Sequence, residues 1–289
     1  MLRLFTDSDC DVTPEIAKAY GAELISMPYS IDAKTVYPYV DFETFDDHAF
    51  YDLLRTGVLP NTSALGEQQY RDYFEPVFAA GDDILYVHFS AAMTVTFDVM
   101  NKVVDELLAK YPERKFYSVD TKGITTLGLG VSYEVCDLYK AGKSADEIVG
   151  WAKEEVDHFA MYFFADDLKF FKHSGRVSGL AATMGTLLGI RPIIHMDANG
   201  QMVSIGKEKG RAKAMDRLVQ YVEELGDHIK DHRILIGHTD APELAEELAQ
   251  MLREKFGNDL RIELVPVNPT AGSHCGPNGA GICFHAIHR

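Results

Sequence analysis

The first half of the chain alternates short apolar runs with longer segments in which apolar residues recur at helical spacing. Short apolar runs are typical of buried strands, and the longer segments are typical of helices packed on one face. The pattern predicts strands over residues 2–8, 22–31, 82–90 and 115–121, and helices over residues 13–21, 43–57, 66–81, 96–112 and 123–142. This alternation indicates a parallel sheet covered by helices on both faces.

Capping residues support several of these boundaries. Thr13, Pro14 and Gly21 predict the start and the end of the first helix, because they suit the N-cap, the first helical position and the C-terminal stop. Ser144 predicts the N-cap of a further helix over residues 144–159. We expect the helix over residues 66–81 to break near Pro76, because proline removes one helical hydrogen bond.

The pattern changes after this boundary helix. Asn199-Gly200 lies between two apolar runs and is a strong hairpin signal. The second half is predicted to contain strands over residues 160–167, 233–239 and 261–267, a turn over 170–179, a hairpin over 191–207, and helices over 180–189, 210–226 and 241–257. Such a mixture, with at least one antiparallel pair, is typical of an α+β arrangement.

These patterns predict an α/β protein of two domains. A chain of 289 residues exceeds the size at which one hydrophobic core usually stops growing. We expect a three-layer α/β domain with a parallel sheet over residues 1–155, and an α+β domain over residues 156–289.

Composition and charge argue against several classes of function and of site. The net charge of −16 and the pI near 5.0 argue against nucleic acid as a main partner and against broad adsorption to anionic membranes. The four cysteines form no CxxC pair, so neither a disulfide framework nor a zinc site is expected. No apolar run reaches the length of a signal peptide or a membrane span. We expect a cytoplasmic protein.

Neutral polar side chains recur in loops at or near predicted strand ends, where parallel α/β proteins bind ligands. The loops are Thr6-Asp7-Ser8, Asn61-Thr62-Ser63, Ser90 to Thr94 and Asp120-Thr121. Hydroxyl groups such as those of Thr62, Ser63 and Ser90 suit a carboxylate or a phosphate oxygen without a metal. Each one alone is more typical of helix capping, so the recurrence carries the prediction.

Two glycine-punctuated stretches add candidate groups. Arg176, within HSGRVSG (residues 173–179), offers a planar guanidinium to an anion, or is an exposed arginine in a turn. His274, within AGSHCGPNGAG (residues 271–281), lies in backbone that can approach a ligand closely, and its imidazole can donate to a carboxylate. Cys275 has no evident orienting acid and is a weak candidate nucleophile.

A different chemistry is also compatible with the N-terminus. Asp9 and Asp11 follow an apolar strand and resemble the nucleophile motif of haloacid-dehalogenase-type phosphatases, which need magnesium. Asp166 and Asp167 would then be the distal metal ligands. Against this alternative, Asp7 lies closest to the strand end.

Six stretches taken together resemble the DegV family of bacterial fatty-acid-binding proteins. They occur in family order and cover essentially the whole chain: TDSDCDVTPE, NTSALGEQQY, FSAAMTVTFDVM, VDTKGITTLGLG, HSGRVSG and GSHCGPNGAG. Each is weak alone, and the six in order are fairly specific.

The resemblance implies a two-domain lipid-binding protein that buries one long-chain fatty acid between its domains and has no cofactor, metal or catalytic residue of its own. It implies that the carboxylate is held by Thr62, Ser63, Ser90 and His274 and is presented to a separate ATP-dependent fatty acid kinase subunit. Arg176 would lie near the pocket mouth, where it affects the encounter with the kinase. Exchange of the fatty acid would allow transient membrane contact.

One departure from the family keeps a further alternative open. Residues 90–96 read SAAMTVT, which lacks a hydroxyl and a glycine that the family usually has there. A carboxylate-binding module for a different ligand is therefore a third hypothesis, beside fatty acid presentation and the phosphatase.

Overall fold

The computed structural model describes residues 1–178 and 189–289. Its strands are β1 (Leu2–Asp7), β2 (Glu23–Ile25), β3 (Tyr29–Ile31), β4 (Lys34–Val36), β5 (Asn61–Thr62), β6 (Asp83–His88), β7 (Phe116–Asp120), β8 (Phe159–Phe164), β9 (Val177–Ser178), β10 (Ile190–Met196), β11 (Met202–Lys209), β12 (Arg233–His238), β13 (Arg261–Pro266) and β14 (Ala280–His285). Its α-helices are α1 (Pro14–Tyr20), α2 (Asp47–Arg55), α3 (Glu67–Ala79), α4 (Thr96–Lys110), α5 (Thr125–Lys140), α6 (Ala145–Glu155), α7 (Lys169–Ser174), α8 (Arg211–Leu225), α9 (Pro242–Phe256) and α10 (Pro269–Cys275).

The two larger sheets confirm the predicted α/β class. The first has the order β2-β1-β6-β7, and its strands are all parallel. The second is mixed, with the order β13-β12-β14-β8-β10-β11-β9. The predicted hairpin is β10 and β11, which pair antiparallel. The domain boundary at residues 155/156 stays a prediction.

Helix α5 lies between the two larger sheets. It packs against β1 and β6 of the first sheet and against β8, β12 and β14 of the second. Its glycines allow close approach on both sides: a Cβ at Gly128 would lie 2.8 Å from the sulfur of Cys10, and one at Gly130 would lie 3.3 Å from the sulfur of Cys283. Both halves of the chain therefore pack against the same helix.

The capping predictions are confirmed. The Thr13 hydroxyl accepts a hydrogen bond from the backbone N–H of Ile16, and Gly21 ends α1 with φ of 68°. Ser144 forms a capping box with Glu147 at the start of α6. Local sequence was enough here because a cap involves residues only three positions apart.

The predicted break at Pro76 is wrong, since α3 continues through it to Ala79. Pro76 is exposed and lies in the last turn of the helix. Its missing N–H frees the carbonyl of Asp72, which is also exposed and can be hydrated. One lost hydrogen bond at a solvated helix end is tolerated, whereas a break would expose the buried Phe74 and Phe78.

The predicted strand over residues 22–31 is two strands in different sheets. Strand β2 pairs with β1, whereas β3 pairs with β4 and β5 in a small antiparallel sheet. Pro28 lies between them and cannot donate to a ladder. This small sheet matters for the site because it holds Thr62 on β5.

Two further expectations are corrected. The predicted turn over residues 170–179 contains α7 and β9. The predicted final loop contains the end of α10 and the start of β14, which lies between β12 and β8 in the second sheet. The apolar helix expected over residues 180–189 lies, apart from Gly189, outside the described residues.

Within residues 1–178 and 189–289, no helix is long and apolar enough to cross a membrane.

Candidate functional site

A cavity of about 730 Å³ lies among the loops and strand ends of both larger sheets. Its volume is within the range typical of small-molecule sites, about 300–1,000 Å³. Large apolar side chains form much of its wall: Met27, Phe89, Met93, Ile124, Met161, Phe163, Phe164, Met202 and Val267. Such a wall suits an elongated apolar ligand.

A polar pair in the cavity wall joins two distant parts of the chain. The Nε2 atom of His274 lies 3.0 Å from the hydroxyl oxygen of Thr62, and both residues line the cavity. Asn268 caps the N-terminus of α10 and Pro269 follows it, which fixes the short helix that carries His274. Thr62 is held by pairing of β5 with Tyr29 of β3.

The imidazole of His274 is neutral at physiological pH. Burial lowers its pKa to about 4, and the nearby positive charges of Arg176 and His173 act in the same direction. Its Nδ1 atom is buried and has no hydrogen-bond partner among residues 1–178 and 189–289. A buried N–H without an acceptor is rarer than an unpaired acceptor, so we assign the proton to Nε2. The imidazole then donates to Thr62 and leaves the threonine proton free for a ligand.

Ser63 and Arg176 also line the cavity. Arg176 is exposed, and one guanidinium nitrogen donates to the backbone carbonyl of Ser174 at 2.9 Å. His173 lies beside it, with Nε2 at 3.2 Å from the side-chain oxygen of Asn61. The structure therefore brings Thr62, Ser63, His274 and Arg176 to one cavity, with Arg176 at its solvent-exposed rim.

Ser90 is placed differently. It is fully buried, its hydroxyl donates to the carbonyl of Gly200 at 2.7 Å, and the same oxygen accepts from the backbone N–H of Ala92 at 3.3 Å. The cavity wall includes Thr94 and Thr96 of the following loop, but Ser90 is not among the described residues that form it. Its role as a carboxylate ligand stays a prediction and requires its hydroxyl to leave Gly200.

Three of the four residues expected for a phosphatase are engaged elsewhere, and Asp9 is the exception. Asp167 pairs with Lys169 at 2.9 Å. Both carboxylate oxygens of Asp166 pair with arginines, one with Arg191 and the other with Arg211. One carboxylate oxygen of Asp11 accepts two hydrogen bonds from Asn268. These contacts leave the phosphatase hypothesis without a free distal metal ligand.

Cys275 is not activated. Burial raises the pKa of its thiol to about 12, and the charge of Asp11 adds to the effect. Thiolate is the nucleophilic form of cysteine, so this residue is nearly all unreactive thiol at neutral pH.

In the described ranges, one group of side chains brings metal-ligating atoms together. It consists of His48, Asp52 and Asp240. It is a surface cluster, and the guanidinium of Arg55 pairs with both aspartates. Arg55 thus already pairs with both carboxylates, and the cluster is an ion-pair network between α2 and the loop after β12.

Sequence reasoning missed several polar lining residues, among them His238 and Thr239 at the end of β12. The hydroxyl of Thr239 accepts from the backbone N–H of Gly279 at 2.7 Å. The signal that selected Ser90, a polar residue that ends an apolar run, was also present here. It was not used because the antiparallel partner β14 was not recognised.

Comparison with known proteins agrees with the fold. The model of a family described as "Uncharacterised protein, DegV family" matches residues 1–286. A DegV domain-containing protein of Clostridium perfringens is 34% identical over 283 residues, which cover 97% of this chain and 96% of that protein.

Two solved structures share the architecture. A stearic-acid-binding protein from Eubacterium ventriosum has a TM-score of 0.86 and 19% identity, with 99% of this chain and 98% of that chain covered. A fatty-acid-binding DegV family protein from Thermus thermophilus has a TM-score of 0.84 and 18% identity, with 99% of both chains covered. The chain is similar to both in fold over essentially its whole length.

Proposed function

The chain belongs to the DegV family, and on that premise we propose that it binds one long-chain fatty acid and presents the carboxylate to a separate kinase subunit. The chain itself would carry out no catalysis and would need no cofactor. The observation that carries this proposal is the apolar cavity of about 730 Å³ with the Thr62–His274 pair in its wall.

Burial of the acyl chain would supply most of the affinity. Each buried CH2 group contributes about 0.8 kcal/mol, so the apolar wall is sufficient for tight binding of a long chain. A largely apolar wall of this kind suits a long acyl chain better than a compact, highly polar ligand.

The head group would be held by neutral donors. The Thr62 hydroxyl, oriented by the Nε2–H of His274, and the Ser63 hydroxyl can donate to a carboxylate. We retain Ser90 as a proposed third hydroxyl donor. A carboxylate held by hydroxyls and a neutral imidazole keeps more of its nucleophilicity than one held in a direct ion pair.

That property matters if the carboxylate is a substrate. In the proposed reaction a carboxylate oxygen attacks the γ-phosphorus of ATP held by the kinase, a C–O–P bond forms, and ADP leaves. Arg176, exposed at the rim, would act in the encounter with the kinase or its nucleotide.

We place the protein in the cytoplasm, with transient membrane contact during exchange of the fatty acid.

Denaturing extraction of the purified protein, followed by mass spectrometry, tests the binding step. We expect about one fatty acid per chain. Thr62→Val should lower the affinity for added fatty acid about tenfold or more, because a hydrogen bond to a charged group is lost. Thr62→Ser keeps the hydroxyl and should bind within a few-fold of the wild type. An empty extract from folded protein, with no binding of added fatty acid, would refute the proposal.

The kinase step has its own test. The loaded protein is mixed with a bacterial fatty acid kinase subunit and ATP, and acyl-phosphate is measured. Arg176→Ala should keep its fatty acid but form acyl-phosphate more slowly than the wild type. Bound fatty acid that no such kinase phosphorylates would separate binding from presentation and remove only the second part of the proposal.

A further inference from the structure

One carboxyl group in the cavity wall has no hydrogen-bond partner in the described ranges. Asp9 lines the cavity and is only 5% exposed. One of its oxygens is fully buried and unpaired, and nothing in residues 1–178 or 189–289 donates a hydrogen bond to the other. A buried polar side chain without a partner is uncommon in a folded protein.

The neighbouring carboxyl groups do not share this property. Asp7 accepts hydrogen bonds from the hydroxyl of Tyr86 and from the backbone N–H of Phe89 and Cys10. One oxygen of Asp11 accepts two from Asn268, while its other oxygen is buried without a partner in the described ranges. Asp9 therefore differs from both, because it lines the cavity and no described residue donates a hydrogen bond to either of its oxygens.

Burial favours the protonated form of the Asp9 carboxyl. Burial raises its pKa well above the usual value, and the negative charges of Asp7 and Asp11 add to this effect. A protonated carboxyl has one O–H donor and acceptor oxygens. It complements a group that both accepts and donates, as a hydroxyl does, and it does not require a cation.

Asp9 lies in a different part of the cavity from the His274 head-group site. It belongs to a short 3-10 turn, Ser8–Cys10, that packs against α5. Helix α10, which carries His274, packs instead against α7, α2, β3 and β5. A ligand held by its carboxylate at His274 and Thr62 would thus meet Asp9 with its acyl chain.

An unsubstituted acyl chain is a poor partner for this group. It would displace water from Asp9 and leave a desolvated carboxyl against methylene groups, which weakens binding. An acyl chain with a hydroxyl at the right carbon would restore a hydrogen bond and keep the apolar contacts.

We propose that Asp9 is a specificity-determining residue and that the preferred ligand is a fatty acid with a hydroxyl group on its acyl chain. This inference rests on the proposed function, because it assumes that the cavity holds a fatty acid. Asp9 would recognise the acyl chain of the ligand, whereas Thr62 and His274 would recognise its carboxylate.

The test uses delipidated full-length protein and a panel of hydroxystearic acids that differ in the position of the hydroxyl, with stearic acid as reference. We expect at least one isomer to bind about tenfold or more tightly than stearic acid. If stearic acid binds as well as every isomer, a water molecule satisfies Asp9 and the inference is wrong, while the proposed function stands. If no fatty acid binds, both are wrong.

Variants locate the effect. Asp9→Asn keeps a donor and an acceptor and should retain the preference within a few-fold. Asp9→Leu has a similar shape without polar atoms, so it should lose the preference and bind stearic acid more tightly. Asp11→Asn, which alters a neighbouring carboxyl that is bonded to Asn268, is the matched control and should retain the preference. A preference that survives in Asp9→Leu would overturn the assignment. If Asp9→Leu does not fold, Asp9→Ala, which also removes the polar atoms, gives the same test.

Discussion

Burial and hydrogen-bond partners decide what each proposed head-group residue can offer to a ligand. Burial makes His274 neutral, and its contact with Thr62 determines which proton the threonine can offer. Ser90 is the same type of residue as Ser63, yet its hydroxyl donates a hydrogen bond to Gly200, which lies in the turn of the hairpin in the second sheet. Whether a hydroxyl can bind a ligand therefore depends on the hydrogen-bond partner that it already has in the protein.

Ser90→Ala separates the two roles of this residue. The observed contact predicts a loss of about 1 kcal/mol in the free energy of unfolding, because the Gly200 carbonyl loses its donor. Denaturant unfolding of the ligand-free variant measures this. Fatty acid affinity is measured separately: a fall of tenfold or more would support Ser90 as a carboxylate ligand, and unchanged affinity would restrict it to the contact with Gly200.

Short elements carry much of the site, and their positions depend on tight packing. Helix α10 ends at Gly276, whose φ of 70° and ψ of 176° lie in a region available essentially only to glycine. A Cβ at this position would overlap the ring of Phe170 on α7. Gly276 thus lets α10, with His274, pack against the helix that precedes Arg176.

Gly276→Ala should destabilise the protein by more than 2 kcal/mol, because a strained backbone and an overlap with a buried ring add together. Gly21→Ala is the control for a positive φ alone: its φ is 68° and its ψ is 29°, and no atom lies within 4 Å of the added Cβ, so about 1 kcal/mol is expected. The excess loss in Gly276→Ala then reports the ψ of 176° and the contact with Phe170 together. Thermal and denaturant unfolding of both variants measure the difference. Equal losses would mean that the contact with Phe170 adds nothing.

At the scale of the whole molecule, the chain buries three carboxyl groups beside the interface of its two halves. Asp7, Asp9 and Asp11 are each at most 5% exposed. Burial raises the pKa of Asp7 to about 6 and that of Asp11 to about 7 from the usual 3.8. The folded protein therefore holds these protons more tightly than the unfolded chain does, and their contribution to stability is lost as the pH rises through the folded pKa.

Asp11→Asn should reveal this contribution. Between pH 5 and pH 7 the free energy of unfolding of the variant, relative to wild type, should rise by on the order of 1.4 kcal/mol per pH unit, and it should level off above about pH 7. The histidines titrate equally in both proteins and cancel in the comparison. Denaturant unfolding across this range measures the difference, and a constant difference would show that Asp11 titrates normally in the folded state.

The sequence by itself determined the fold class, most element boundaries and the head-group candidates on β5 and α10. The fold class and the boundaries follow from periodicity, caps and turns, which act over a few residues: Thr13, Gly21 and Ser144 all have the predicted roles. The head-group role of the candidates is implied by the family resemblance and stays a prediction. The continuation of α3 through Pro76 was beyond such reasoning, because it depends on burial of Phe74 and Phe78 elsewhere in the core.

Only the tertiary structure decided which polar groups face the cavity and which are already bonded. Thr62 and His274 are 212 positions apart, and Ser90 meets Gly200 across 110, so no local pattern reports either contact. The insertion of β14 between β12 and β8 brings the end of α10 to the cavity. Hydrogen-bond partners and burial are properties of the packed chain. They separate Asp9, which lines the cavity and has no hydrogen-bond partner among the described residues, from Asp7 and Asp11, which resemble it in sequence.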